Sequence, residues 1–161
     1  MIKIVNGDIC DAKEKYIVQQ VNCQCAMGSG VAKAIYTKWP RVRTQYKNFC
    51  KQYKPESLLG HIQLVCANDN IVVPGYDEKI IVNCFSQLNY RRKNDIGDIC
   101  YTNYLAFFEC MKRLENDVRG VPIAMPYGIG CGLAGGEWEI IYNILCKIFG
   151  DENHSLTLYK K

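Results

Sequence analysis

Short apolar runs and longer helical stripes alternate along the chain. Runs of strand length, rich in β-branched and aromatic residues, occupy residues 2–5, 16–21, 62–66, 71–73, 80–84, 121–125 and 156–159. The third to fifth lie close together, and Pro74-Gly75-Tyr76-Asp77 supplies turn chemistry, which predicts a local antiparallel section. In the wider gaps the apolar period lengthens to that of a helix, over residues 31–38, 41–52, 102–117 and 137–149. Trp39-Pro40 ends the first helix, because proline removes an amide donor and crowds the preceding turn. The third places Tyr104, Phe107, Phe108, Met111 and Leu114 on one stripe, with Gly120 as a stop signal. The fourth does the same with Trp138, Ile141, Leu145, Ile148 and Phe149, and Gly150 follows as the C′ residue. Strands alternating with helices predict a layered α/β fold with a largely parallel sheet, in a single domain over residues 1–161.

Ligands of such sheets sit beyond the carboxyl ends of the strands. Segments 6–9, 22–30, 85–87 and 128–136 all have that placement. The last holds five glycines in nine residues, Gly128, Gly130, Gly132, Gly135 and Gly136, between a buried strand and a helix. Glycine is costly in backbone entropy, so this density marks a backbone that bends sharply or touches a ligand. Amides from such a loop and from the first helical turn point outward together, and the helix dipole favours negative charge. The loop reads as a phosphate cradle. It contains a literal GxGxxG, Gly130 to Gly135, but after a late strand and without the acidic residue a second strand would supply. A dinucleotide-binding unit, and with it a nicotinamide-dependent oxidoreductase, is therefore disfavoured.

A second glycine loop, Met27-Gly28-Ser29-Gly30-Val31-Ala32, precedes another helix. Two such loops on one sheet edge suit a ligand with two phosphates, or a phosphate and a ribose. Neither ends in the Lys-Ser/Thr of a P-loop, which argues against magnesium-dependent triphosphate hydrolysis. Asp8 either accepts a hydrogen bond from an adenine amino or ribose hydroxyl group or simply caps a turn. Asn22, polar at the end of an apolar run, is either a ribose contact or a loop fastener. The basic cluster Tyr90-Arg91-Arg92-Lys93-Asn94 is either a solvated turn or an arm whose Arg91 or Arg92 closes on a terminal phosphate.

Composition narrows the class. The chain has 161 residues, 48% hydrophobic and 22% charged, which suits a globular domain and excludes disorder. A formal charge of +4 suits an anionic ligand but does not by itself indicate nucleic-acid binding. The ten cysteines are scattered through apolar runs, and residues 1–5 enter a strand pattern directly, so reduced thiols in the cytoplasm are expected. No apolar run approaches the roughly 20 residues of a membrane span. Cys131 lacks an evident base partner, since the only histidines are His61 and His154. Cys23, Cys25 and Cys131 lack the spacing of a metal site, and no metal or cofactor is expected.

Four motifs in order, Gly7-Asp8-Ile9, Val21-Asn22-Cys23-Gln24-Cys25-Ala26-Met27-Gly28-Ser29-Gly30-Val31-Ala32, Asn83-Cys84-Phe85-Ser86-Gln87 and the stretch from Met125 to Trp138, resemble those of macro domains. They are most similar to the bacterial and phage-type ADP-ribose 1″-phosphate phosphatase branch, which neighbours the terminal ADP-ribose protein glycohydrolase branch. The resemblance spans essentially the whole chain. It implies a three-layer α/β/α sandwich with a mixed, largely parallel sheet, acting on an ADP-ribose-type nucleotide; a monomer is expected. The ligand is free or carried by an ADP-ribosylated protein or nucleic acid. By the same resemblance, Asp8 and Ile9 take the adenine, and Asn22 with Gly28, Ser29, Gly30 and Val31 surrounds the distal ribose. Gly128, Ile129, Gly130, Cys131, Gly132 and Leu133 wrap the diphosphate, while Phe85 and Gln87 line the ribose or adenine side. The implied activity is removal of the terminal phosphate of ADP-ribose 1″-phosphate, with a non-catalytic reader or an ADP-ribosyl hydrolase as alternatives. The catalytic residues of these branches are replaced here. Gln19 stands where the phosphatase branch carries His, Ala134 follows Gly-Cys-Gly-Leu where the glycohydrolase branch carries Asp, and Cys84 or Phe85 falls near its Lys. An amide is no general base, which leaves Gln19, Asn22 and Gln24 as candidates for orienting water.

Overall fold

In the computed structural model, which describes residues 1–68 and 78–161, every apolar run of strand length within that range forms a strand. These are β1 (Ile2–Asn6), β2 (Tyr16–Asn22), β3 (Ile62–Cys66), β4 (Ile80–Gln87), β5 (Ile123–Pro126) and β6 (Leu156–Lys160). The expected strand over residues 71–73 and the turn after it lie outside the described residues. Helices α1 (Gly30–Lys38), α2 (Pro40–Cys50), α3 (Pro55–Leu58), α4 (Tyr104–Asp117) and α5 (Trp138–Phe149) fill the gaps, with a 3-10 turn over Ile9–Asp11. Pro40 does more than end α1. It is also the first residue of α2, where its missing amide costs nothing. The short α3, also opened by a proline, carries too little periodicity to be read from the sequence. Gly150 closes α5 with φ −76°, not in the left-handed form expected of a C′ glycine. Its reason is space, since a Cβ would lie 2.3 Å from the Cys146 carbonyl oxygen.

The strands form one sheet in the order β1-β6-β5-β2-β4-β3, parallel throughout except for β3, which runs antiparallel to β4. One face packs on α4 and α5, where Val18, Val82, Phe107, Met111, Leu114, Ile141 and Leu145 are fully buried. The other lies under α1 and α2. There the in-register row Ile17-Ile81-Val65 meets Ile35 and Val42, and the row Val21-Phe85 meets Tyr46 and Cys50. Between these apolar rows runs a polar one, Gln19-Asn83-Gln63, which divides that side of the core into two clusters. The result is the three-layer α/β/α sandwich with a mixed, largely parallel sheet. No helix among the described residues is long and apolar enough to cross a membrane.

Candidate functional site

Strands β2 and β5 pair only at Tyr16–Ile123 and Ile17–Ala124, then part. The loop after β2 leads to α1 on one face and the loop after β5 to α5 on the other, so a crevice opens at a topological switch point. Two adjoining cavities occupy it, of about 460 Å³ and 400 Å³, sharing Gly30, Val31, Pro126 and Tyr127 as a common wall. Together they form one elongated cleft of the size of small-molecule sites.

The glycine loop forms the wall of the larger cavity. Gly128 and Gly130 both have φ of +78°, a conformation that side-chain-bearing residues rarely hold. The amides of Ile129, Cys131, Gly135 and Gly136 donate within the segment, to the oxygens of Pro126, Gly128, Gly132 and Gly130. Those of Gly128, Gly130, Gly132 and Leu133 have no acceptor among the described residues. Such a set of unspent amides has the make-up of an anion-binding nest. The loop is held from behind. Thr102 Oγ1 donates to the Gly130 oxygen at 2.6 Å, and Gln20 Nε2 donates to Thr102 Oγ1 at 3.0 Å. Gln20 Nε2 also reaches Gln87 Oε1, and Gln20 Oε1 accepts from Ser86 Oγ. The amides of Tyr101 and Thr102 pair with the Ala134 oxygen, stapling the far end.

Gly28, Ser29, Gly30 and Val31 form the opposite wall, where α1 begins. Their loop is fastened by Asn22. Its Oδ1 accepts from the amides of Gln24 and Ala26 and from the Tyr46 hydroxyl, and its Nδ2 donates to the Ala26 oxygen at 2.6 Å. Asn22 also borders the cavity, but the fastener reading accounts for its oxygen completely. The smaller cavity lies beside Asp8, Ile9, Tyr127 and Tyr159. Asp8 is both a cavity residue and a cap. Lys161 donates to Oδ2 at 2.7 Å and the Cys10 amide to Oδ1 at 2.9 Å, and these bonds hold its carboxyl below the ordinary value.

Three expected contacts are corrected by the geometry. Phe85 is fully buried between Tyr46 and Phe49 and does not reach the cleft, because its position in β4 turns it into the α2 side of the core. Gln24 does not line the cleft either, since its amide donates to the Leu88 oxygen at 3.1 Å. Cys131, expected along the diphosphate, lines neither cavity: its amide is spent on the Gly128 oxygen, its thiol turns back to the Ile129 oxygen, and burial pushes that thiol up to about 11. Gln87 lines the larger cavity, as do Ile129 and Leu133. Arg91 stands at its rim, with Nη2 donating to the oxygens of Asp95 and Gly97, while Arg92 lines neither cavity and stacks on Tyr90. Gln19 lies at the floor, 1% exposed. Sequence reasoning missed Gln20, Thr102 and Tyr127. Gln20 carried a signal, a polar residue inside the β2 run, whereas Thr102 is joined to the glycine loop only by the fold.

No family model matches the chain. In sequence it is similar to an ADP-ribose 1″-phosphate phosphatase of Aspergillus oryzae, 26% identical over 175 residues and covering 89% of this chain and 87% of that protein. It is also similar to a DNA ADP-ribosyl glycohydrolase of Mycobacterium tuberculosis, 27% identical over 149 residues, across 92% of this chain but only 39% of that protein. Among solved structures, a Bacteroides thetaiotaomicron protein of unknown function superposes with a TM-score of 0.81 at 24% identity, covering 100% of this chain and 98% of that one. The macrodomain of Mycobacterium tuberculosis DarG superposes with a TM-score of 0.76 at 21% identity, over 99% and 97% of the two chains. Thermosipho africanus DarTG in complex with ADP-ribose gives a TM-score of 0.77 at 16% identity, over 99% of this chain and 41% of that one.

Proposed function

The chain has the macrodomain fold and is similar in sequence to an ADP-ribose 1″-phosphate phosphatase, and from this premise we propose that its cleft binds ADP-ribose or a close derivative and hydrolyses the terminal phosphate of ADP-ribose 1″-phosphate. The observation that carries the reading is the order of polarity along the cleft. An ionised acceptor, Asp8, lies beside the smaller cavity, and Gly128, Gly130, Gly132 and Leu133, whose amides have no acceptor among the described residues, line the larger one. That order matches an adenine amino group followed by a diphosphate. The distal ribose then falls between Asn22 and the Gly28–Val31 turn. A phosphate on it extends toward Arg91, whose guanidinium is braced on two backbone oxygens. A single chain supplies every residue of this reading.

Among the described residues lining the larger cavity there is no His, Asp, Glu, Lys or Cys. Phosphoryl transfer tolerates that lack better than other hydrolyses. Its transition state is loose, and catalysis rests on positioning and on stabilising charge over the equatorial oxygens, which outward amides and an arginine can do. Cleaving a glycosidic bond ordinarily needs carboxyl groups flanking it, so ADP-ribosyl hydrolysis on protein or nucleic acid receives less support from this cleft. The same lack favours a second reading, a protein that binds ADP-ribose-type signals without turning them over. Incubation with ADP-ribose 1″-phosphate, following free phosphate, separates the two. Phosphate release that Arg91→Ala lowers supports the enzyme, and tight binding with no release supports the reader.

A further inference from the structure

The two halves of the cleft differ in charge, and one cation in it finds no partner on ADP-ribose. Among the described residues the larger cavity is lined by a single charged side chain, Arg91, whereas the smaller one is lined by Asp8, Lys160 and Lys161. Asp8 and Lys161 cancel one another through their 2.7 Å ion pair. Lys160 remains, and it forms no ion pair among the described residues.

An exposed lysine at a strand end ordinarily extends into water. Lys160 is more constrained. In β6 it continues the row of Leu156 and Leu158, which are buried among side chains of α4 and α5, so it emerges on that side where the sheet stops and the cleft begins. The pairing of Pro126 with Tyr159, and the Tyr127 amide donating to the Tyr159 oxygen at 2.8 Å, set Tyr127 beside it. Lys160 Nζ stands over the Tyr127 ring, 5.0 Å from its centroid, a contact that favours this placement of the ammonium. Tyr127 belongs to the wall that the two cavities share.

That place corresponds to one part of the ligand. With adenine beside Asp8 and the diphosphate along the glycine loop, the adenosine ribose spans the junction between the cavities. This sugar is uncharged, so ADP-ribose leaves Lys160 unanswered. A phosphate monoester on it would bring close to two negative charges at neutral pH. Lys160 lines only the cavity assigned to the base, which selects the hydroxyl next to the base, the 2′ one. Lys161 serves the same end by neutralising Asp8, whose carboxylate would otherwise repel that phosphate. We propose that Lys160 forms a subsite for a phosphate on the adenosine ribose, so that the cleft prefers ADP-ribose 2′-phosphate, the ADP-ribose part of a 2′-phosphorylated dinucleotide, to ADP-ribose itself. This rests on the ADP-ribose reading of the cleft.

Calorimetry with ADP-ribose and with ADP-ribose 2′-phosphate, on the wild type, Lys160→Gln and Lys160→Arg, tests this. Lys160 is exposed at the end of β6, and thermal unfolding of each variant establishes that it is folded. The wild type is expected to bind the 2′-phosphate about tenfold more tightly, as a charge-assisted contact to a phosphate implies. Lys160→Arg keeps a cation and should keep the preference. Lys160→Gln keeps the polarity without the charge and should bring the ratio of the two affinities to within about twofold. Equal binding of the two ligands by the wild type, or a preference for ADP-ribose, overturns the subsite and leaves the ADP-ribose cleft standing. A tenfold preference that survives in Lys160→Gln also overturns it, because the phosphate is then held by another group. A wild type that binds neither ligand overturns the reading of the cleft itself, and this proposal with it.

Discussion

Asp8 shows how one residue serves fold and site together. Its Oδ1 caps the turn over Ile9–Asp11, and its other oxygen carries Lys161 at the edge of the smaller cavity. Asp8→Ala removes both roles, and loss of the cap alone is expected to cost about 1 kcal/mol in urea unfolding. Asp8→Ser retains a capping oxygen. It should restore most of that stability while leaving adenine recognition impaired, so ADP-ribose affinity separates the roles. The pH dependence has a definite sign. Because Lys161 and the Cys10 amide lower the folded pKa of Asp8, its contribution is fully present above the unfolded value of about 3.9 and fades as pH falls through the lowered one. ADP-ribose affinity measured between about pH 5 and 8 should therefore not change on account of Asp8, whereas a step centred near pH 6 would contradict this assignment. Cys131 is the opposite case. With its thiol pushed up to about 11 it stays protonated at neutral pH, and Cys131→Ala should leave phosphate release unchanged.

At the scale of the element, the glycine loop is a wall whose shape depends on residues far away in sequence. The Thr102 hydroxyl reaches it through one short bond to the Gly130 oxygen and is itself held by Gln20. Thr102→Val keeps the shape and removes the hydroxyl, leaving the Gln20 amide and the Gly130 oxygen each short of a partner. A destabilisation of about 1–3 kcal/mol is expected by urea unfolding. ADP-ribose binding should weaken in parallel, because the nest loses its backing. Such supports were not legible in the sequence. The glycine density, the strand before it and the helix after it were plain from spacing alone. The partnership of Thr102, Gln20 and Ser86 exists only once β2, β4 and the segment before α4 are side by side. Phe85 failed for a related reason. Its neighbourhood in the motif suggested the cleft, but alternation along β4 sends Phe85 to the side covered by Tyr46 and Phe49.

For the molecule as a whole, the alternation of runs and stripes carried the fold a long way, since buried parallel strands and amphipathic helices each leave a clear period. It could not give the strand order. That order parts β2 from β5 beyond Ile17–Ala124 and makes the cleft. Nor could it show that Gln19, Asn83 and Gln63, from three separate runs, line up as one row. Polar residues inside apolar runs were the visible sign of that row, and register supplied its meaning. In the proposed function the amide nest and the two cavities act together as a single ADP-ribose site.

Titration of the wild type and Gly132→Glu with ADP-ribose tests that claim most directly. A side chain at Gly132 meets nothing within 4 Å and the residue does not lie in the left-handed region, so the variant should fold with an unchanged melting temperature. Its carboxylate would occupy the nest meant for phosphate. The expected result is one-to-one binding to the wild type, weakened by at least about a hundredfold, or about 2.7 kcal/mol, in the folded variant. No heat of binding to the wild type at millimolar ADP-ribose, or equal affinity in Gly132→Glu, would contradict it.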